Sequence, residues 1–112
     1  MMKEEKVTST DLQDSIDKNP AVIIYFYSDK CAPCISLRPK VKKLINDEFP
    51  KINLQFVNAE TSPEITGSFG IFSNPTIIVF FDGKEYRRYS KYISMNELSV
   101  DIERVYNILF EE

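Results

Sequence analysis

The sequence predicts one α/β domain in which helices cover both faces of a mixed sheet. Three runs rich in β-branched and aromatic residues have the length of buried strands, and helical patterns separate them. The first two strands are joined by a helix and should be parallel, whereas the turn Asp82-Gly83 should pair the third strand with an antiparallel fourth. The predicted order is helix, strand, helix, strand, helix, hairpin and helix, in a single domain of 112 residues.

The first predicted helix covers residues 11–18. Thr10 and Gln13 have the spacing of a capping box at its start, and Pro20 lies just beyond its end. The unbroken apolar run Ala21–Tyr27 follows, which is typical of a strand that is buried on both faces.

A second helix is predicted from residue 31 or 32 to residue 48. Its apolar residues recur at helical spacing, namely Leu37, Val41, Leu44 and Ile45. Pro39 lies inside this helix and should kink it, because proline removes one backbone donor. In residues 52–58, apolar and polar residues alternate sufficiently to predict the second strand.

The remaining elements are a short helix, a hairpin and a last helix. Pro63–Phe69 is the predicted short helix, Thr76–Phe81 is the third strand, and residues 84–89 form a charged edge strand. Ser94 and Glu97 have capping-box spacing at the start of the last helix. The buried stripe of that helix consists of Leu98, Ile102, Val105 and Leu109.

Composition excludes several classes of function. A net charge of −3 speaks against general nucleic-acid binding, which needs a basic surplus. The chain has no histidine, so Ser-His and Cys-His hydrolysis are excluded. No apolar run approaches the ~20 residues of a membrane span, and no signal peptide follows the first residues. We therefore expect a cytoplasmic protein without membrane association, whose residues 1–6 are frayed.

The most informative motif is Cys31-Ala32-Pro33-Cys34, which stands where a buried strand gives way to a helix. Two intervening residues allow both sulfurs to lie within bonding reach. The positive end of the helix dipole should stabilise a thiolate at Cys31, which is the attacking species in disulfide exchange. Cys34 should lie one turn inside the helix and resolve the mixed disulfide, and Pro33 leaves no N–H to satisfy in the first turn.

Other interpretations of this motif remain open. A purely structural disulfide would restrict the unfolded chain little, because the loop that it closes is so short. It would also be unusual in a reducing compartment. A metal site would need ligands from a second chain, since Cys31 and Cys34 are the only thiols. We predict no metal and no cofactor, and we favour redox exchange.

In these motifs the chain resembles the thioredoxin family over roughly residues 7–109. The landmarks are the Cys-Ala-Pro-Cys site, Pro39 five residues after it, Asn74-Pro75-Thr76 before the third strand, and Asp82-Gly83. The resemblance implies a thioredoxin-like three-layer sandwich. It also implies that Pro75 is cis and faces the cysteines, and that a substrate strand docks along the backbone of Asn74.

The chain departs from the family around the cysteines. Lys30 and Tyr27 replace the aromatic pair of the usual site, and Tyr25 replaces a buried Asp that is thought to take the proton from the second cysteine. Phe56 aligns with the Lys that pairs with that Asp. We predict that Cys34 lacks an internal base. Lys30 could favour the Cys31 thiolate or could be a solvated bystander.

The predicted docking surface also differs from that of the family. Lys91-Tyr92 replaces a small Gly-Ala segment, which implies a different partner. The nearby basic residues interleave with tyrosines in a way that superficially resembles a nucleic-acid surface, but we interpret them as a solvated edge strand.

The sequence therefore predicts a thiol-disulfide oxidoreductase that is a monomer without bound cofactor. Its expected partners are disulfide-containing proteins and an unidentified reductase or thiol donor, with no nucleic acid and no membrane among them. The alternative is a non-catalytic adaptor module with the same fold and a vestigial thiol pair.

Overall fold

The computed structural model describes residues 8–90 and 92–110, which form eight helices and strands. These elements are α1 (Ser9–Lys18), β1 (Ala21–Tyr27), α2 (Ala32–Glu48), β2 (Asn53–Asn58), α3 (Pro63–Phe69), β3 (Thr76–Phe81), β4 (Lys84–Ser90) and α4 (Met95–Phe110). Their order is the predicted one. Residues 1–6, expected to be frayed, lie outside the described residues. No helix in the described ranges is long and apolar enough to cross a membrane.

The four strands form one mixed sheet in the order β2-β1-β3-β4. The central strand β1 is parallel to β2 and antiparallel to β3, and β4 pairs antiparallel with β3 at the edge. This arrangement confirms the predicted parallel crossover and hairpin. It places the C-terminal end of β1, which leads into the cysteines, beside the start of β3.

Helices cover the sheet on both faces, as predicted. Alternate residues of β1 point to opposite sides. Ala21, Ile23 and Tyr25 belong to a core shared with α2 and α4, whereas Val22, Ile24 and Phe26 belong to a core shared with α1 and α3. Every residue from Ala21 to Phe26 is fully buried. The buried run in the sequence therefore corresponds to the middle layer of a three-layer sandwich.

The start of α1 differs from the prediction. Thr8, not Thr10, caps the helix: its hydroxyl accepts the N–H of Asp11 at 3.0 Å, and the Asp11 carboxylate accepts the N–H of Thr8 at 3.3 Å. The helix therefore begins at Ser9. The predicted pair Thr10 and Gln13 was wrong because a charged carboxylate accepts a backbone hydrogen bond more strongly than a side-chain amide does.

Other boundaries agree within one or two residues. The second helix continues as one element through Pro39, and Ser94 caps α4 by accepting the N–H of Glu97 at 3.2 Å. Asp82 and Gly83 both have positive φ, 54° and 79°, as the turn of a tight hairpin requires.

The two arginines of β4 have local acidic partners. The Arg88 guanidinium contacts both carboxylate oxygens of Glu85, at 3.0 and 2.9 Å, and also donates to the carbonyl of Gly70 at 3.2 Å. The Arg87 guanidinium lies 3.8 Å from the Asp101 carboxylate. These contacts agree with the interpretation of β4 as a solvated edge strand.

Candidate active site

The two cysteines lie at the start of α2, where they form a disulfide bond with a Cα–Cα distance of 5.2 Å. Cys31 is the N-cap residue, and its Sγ accepts the N–H of Cys34 at 3.2 Å. Cys34 is only 1% exposed, whereas Cys31 is partly exposed. A second molecule can therefore approach Cys31 but not Cys34. The Cys31 sulfur thus lies at the N-terminus of α2, the positive end of the helix dipole.

A buried serine organises the turn between β1 and the cysteines. The Ser28 carbonyl accepts the N–H of Cys31 at 3.1 Å, and its hydroxyl accepts the N–H of Lys30 at 3.2 Å. Sequence analysis did not single out Ser28. The signal was present, because a serine after an apolar run and before a short loop often binds the backbone two residues on. Lys30 itself is exposed directly before the first cysteine.

Tyr25 lies beneath the second cysteine. Its side chain is fully buried, and its hydroxyl donates to the backbone carbonyl of Cys34 at 2.8 Å. Burial raises the pKa of Tyr25 to about 12, although the nearby Arg38 guanidinium lowers it in part. The phenol is therefore held protonated at neutral pH, where it can donate a hydrogen bond but cannot accept a proton. Its ring packs edge-to-face against Phe56, with the centroids 5.6 Å apart.

Arg38 adds a positive charge that sequence analysis missed. Its guanidinium carbon lies 4.2 Å from the ring centroid of Tyr27 and 5.1 Å from that of Phe56. Such stacking holds a guanidinium over aromatic rings of two neighbouring strands. Arg38 lies one helical turn beyond Cys34, and this spacing was the signal that could have drawn attention to it.

The free energy of unfolding should fall at alkaline pH because the phenol of Tyr25 is buried. The unfolded phenol ionises near its ordinary pKa of 10.0, whereas the folded one stays protonated to about 12. The stabilisation is therefore complete below pH 10 and is lost as the pH rises through 12. The loss should be about 3 kcal/mol, since one pKa unit corresponds to about 1.4 kcal/mol. Denaturant unfolding at several pH values should show it.

Tyr25→Phe is the control for this titration. Tyr89 has a raised pKa as well, because it is partly buried and its hydroxyl donates to the Asp101 carboxylate at 2.6 Å. Its contribution is common to both proteins and cancels in the comparison. At neutral pH the variant should be less stable by about 1 kcal/mol, and this difference should shrink and then reverse above pH 10. A difference that does not change with pH would contradict the assignment.

The Asn74–Pro75 peptide bond is cis, as the resemblance implied. Pro75 is buried, and it lines a groove of about 410 Å³ beside the first turns of α2. The residues that line the groove are Pro33, Ser36, Leu37, Lys40, Pro75, Tyr92, Ile93 and Ser94. The side-chain oxygen of Asn74 is enclosed and has no hydrogen-bond partner among the described residues.

The structure brings most of the predicted site residues to one end of the sheet. Pro33 occupies the second helical position next to the disulfide and shares the groove with Pro75 and Tyr92. Tyr92 is 96% exposed. Lys91, predicted to contact substrate, lies outside the described residues. Within the described ranges, no group of three or more His, Cys, Asp or Glu side chains could hold a metal ion.

Comparisons with known proteins agree with this geometry. The model of the thioredoxin family matches residues 3–104. The thioredoxin-like protein YdfQ of Bacillus subtilis is 28% identical over 87% of this chain and 86% of its own. A thioredoxin of Chlamydia muridarum is 34% identical over 73% of this chain and 78% of its own. The X-ray structure of Fasciola hepatica thioredoxin superposes with a TM-score of 0.78 at 28% identity, covering 88% of this chain and 94% of that one.

The family-model match extends over both the sheet and the cysteine pair. The fold, the two cysteines at bonding distance and the relatives together support dithiol-disulfide exchange, and they do not favour the non-catalytic adaptor. The chain belongs to the thioredoxin family and is a thiol-disulfide oxidoreductase.

Proposed function

We propose that Cys31 is the attacking sulfur and Cys34 the resolving sulfur of an electron carrier that reduces disulfides in protein substrates. The unequal exposure of the two cysteines carries this assignment, because only Cys31 is open to another molecule. In the dithiol form, the N–H of Cys34 and the first turn of α2 would stabilise a Cys31 thiolate. The exposed ammonium of Lys30 adds to this effect, and Pro33 fixes the backbone between the cysteines.

The reaction has two exchange steps. The Cys31 thiolate attacks one sulfur of the substrate disulfide, and the other substrate sulfur leaves as a thiolate that takes a proton from water. The Cys34 thiol then loses its proton and attacks Cys31, which releases the second substrate sulfur. The substrate gains two electrons and two protons, and the protein is left with the Cys31–Cys34 disulfide that the structure contains.

The substrate segment should dock in the groove beside Cys31. Pro75 and Tyr92 line this groove, and the backbone of Asn74 directly precedes Pro75. Pro75 has no N–H of its own, so an approaching strand meets no competing donor there. We include Lys91 in this docking surface because it adjoins Tyr92.

Continued turnover needs an external source of electrons. A dithiol or a reductase must reduce the Cys31–Cys34 disulfide by the same exchange chemistry in reverse. This role suits the cytoplasm, where thiols are kept reduced, and we propose that the chain works there in redox homeostasis as a single-domain monomer. A carrier of this kind needs no bound cofactor.

Covalent trapping tests the roles of the two cysteines. Reduced wild-type protein should accelerate the reduction of insulin by dithiothreitol. Cys34→Ser should accumulate mixed disulfides through Cys31, because the resolving sulfur is missing, and dithiothreitol should release them. The double variant Cys31→Ser/Cys34→Ser should trap nothing. If wild type gives no acceleration and Cys34→Ser gives no adduct, the proposed roles are wrong.

A further inference from the structure

We propose that Lys40 selects substrates that carry an acidic side chain a few residues from the reactive cysteine. The inference rests on the proposed function, because only a chain that exchanges disulfides at Cys31 has a substrate segment to dock. Among the described residues that line the groove, Lys40 is the only charged one, and the other walls are largely apolar. An apolar groove with a single charge fixes the orientation of an extended ligand more than it adds affinity.

The Lys40 ammonium is available for such a contact. Its side chain is exposed, and none of the ion pairs found among the described residues includes it. By contrast, Lys43 of the same helix is paired with Asp47 at 2.8 Å. Among the described residues, Lys40 therefore has no carboxylate partner that an acidic side chain of the substrate would have to displace.

Charge is unevenly distributed around the cysteines. The chain as a whole has a net charge of −3, yet the segment 31–46 contains four basic residues and no acidic one. The four are Arg38, Lys40, Lys42 and Lys43. Asp29 is the nearest preceding carboxylate, and it accepts a hydrogen bond from Asn58 at 3.3 Å. Of these four residues only Lys40 lines the groove, so an acidic protein presents a positive charge to the substrate segment there.

Helix geometry sets the position of the acidic residue. Lys40 lies nine residues beyond Cys31, which corresponds to about 14 Å along the axis of α2 at about 1.5 Å per residue. An extended segment covers about 3.3 Å per residue. The substrate carboxylate should therefore lie about four residues from the cysteine that Cys31 attacks.

Matched peptide disulfides test this selection. Each peptide joins its single cysteine to a small neutral thiol and carries Asp or Asn four residues before or after that cysteine. In dilute buffer, reduced wild type should prefer Asp over Asn by about two- to fivefold in kcat/KM, the range of an exposed ion pair, in at least one of the two positions. The preference should disappear in about 1 M salt, where charges are screened over about 3 Å.

Two charge reversals locate the effect. Lys40→Glu should reverse the preference, whereas Lys42→Glu, which changes the net charge equally but does not line the groove, should keep it. Wild type and Lys42→Glu should reduce bis(2-hydroxyethyl) disulfide, which is small and neutral, at the same rate, and the preference of each protein is measured as the ratio of its own rates with the Asp and Asn peptides. Equal rates for the Asp and Asn peptides, or equal losses in the two variants, would overturn the inference while leaving disulfide exchange intact. Failure of wild type on insulin and on every peptide disulfide would instead refute the proposed function and the docking inference together.

Discussion

Tyr25→Ala should lower the free energy of unfolding by about 3 to 5 kcal/mol, the range for removing a large buried aromatic side chain. Tyr25 is fully buried in the central strand, packs against the ring of Phe56 and donates to the carbonyl of Cys34. Alanine would leave a cavity directly beneath the second cysteine. It would also remove the hydrogen bond, which contributes about 1 kcal/mol of the total.

The measurement is urea unfolding of the oxidised protein, so that the same disulfide constrains every variant. Tyr92→Ala is the matched control, since it is the same substitution at a residue that is 96% exposed. It should change stability by less than about 0.5 kcal/mol. Tyr25→Phe should fall between the two, because it keeps the ring and loses only the hydroxyl. If Tyr25→Ala costs no more than Tyr92→Ala, the tyrosine does not support the site.

The sheet and its helices were predictable because each depends on a short-range pattern. The apolar run Ala21–Tyr27 is typical of a strand covered on both faces, and Asp82-Gly83 is a strong signal for a tight hairpin turn. The cysteine pair was equally visible, since two residues of separation at a helix start define its geometry. The cap of α1 was misplaced by two residues because Thr8 and Thr10 both have a suitable partner three residues on.

The surroundings of the cysteines were less predictable because they join distant parts of the chain. Arg38 stacks on Tyr27 and Phe56, which belong to different strands, and no local pattern states that these three residues meet. Lys40 likewise lines a groove together with Pro75, which is distant in the sequence, so its place beside the substrate could not be predicted from local patterns. The disulfide chemistry of the cysteine pair could be predicted from the sequence, but the charged residues that lie beside the pair depend on packing between distant segments.

Tyr25→Asp should accelerate the resolving step, in which Cys34 attacks the mixed disulfide. Cys34 is buried and must lose its proton before it can attack. The phenol of Tyr25, whose pKa is about 12, cannot take that proton at neutral pH. A carboxylate on the same strand position, with a water molecule in the space left by the ring, could do so. We expect the rate of the resolving step to rise about tenfold. This is less than the ~10²-fold contribution of a base that is positioned directly at the proton.

Tyr25→Asn separates the base from the cavity. Asparagine has the shape of aspartate and leaves the same space, but its amide cannot accept a proton. Rapid mixing of reduced protein with excess peptide disulfide should give a second phase that does not depend on peptide concentration, and this phase reports resolution. Tyr25→Asp should be faster than both wild type and Tyr25→Asn. Equal rates for the two variants would show that access, not proton removal, limits the step.

The carboxylate also needs a partner, because an unpaired buried charge is destabilising. Phe56 lies opposite Tyr25 in the parallel pair β1–β2, so Phe56→Lys would place an ammonium beside the new carboxylate. The double variant should recover part of the stability that Tyr25→Asp loses. It should resolve mixed disulfides more slowly than the single variant, since the ammonium favours the ionised carboxylate and thereby makes it a weaker base. Opposite changes in stability and rate would link both effects to one carboxylate beneath Cys34.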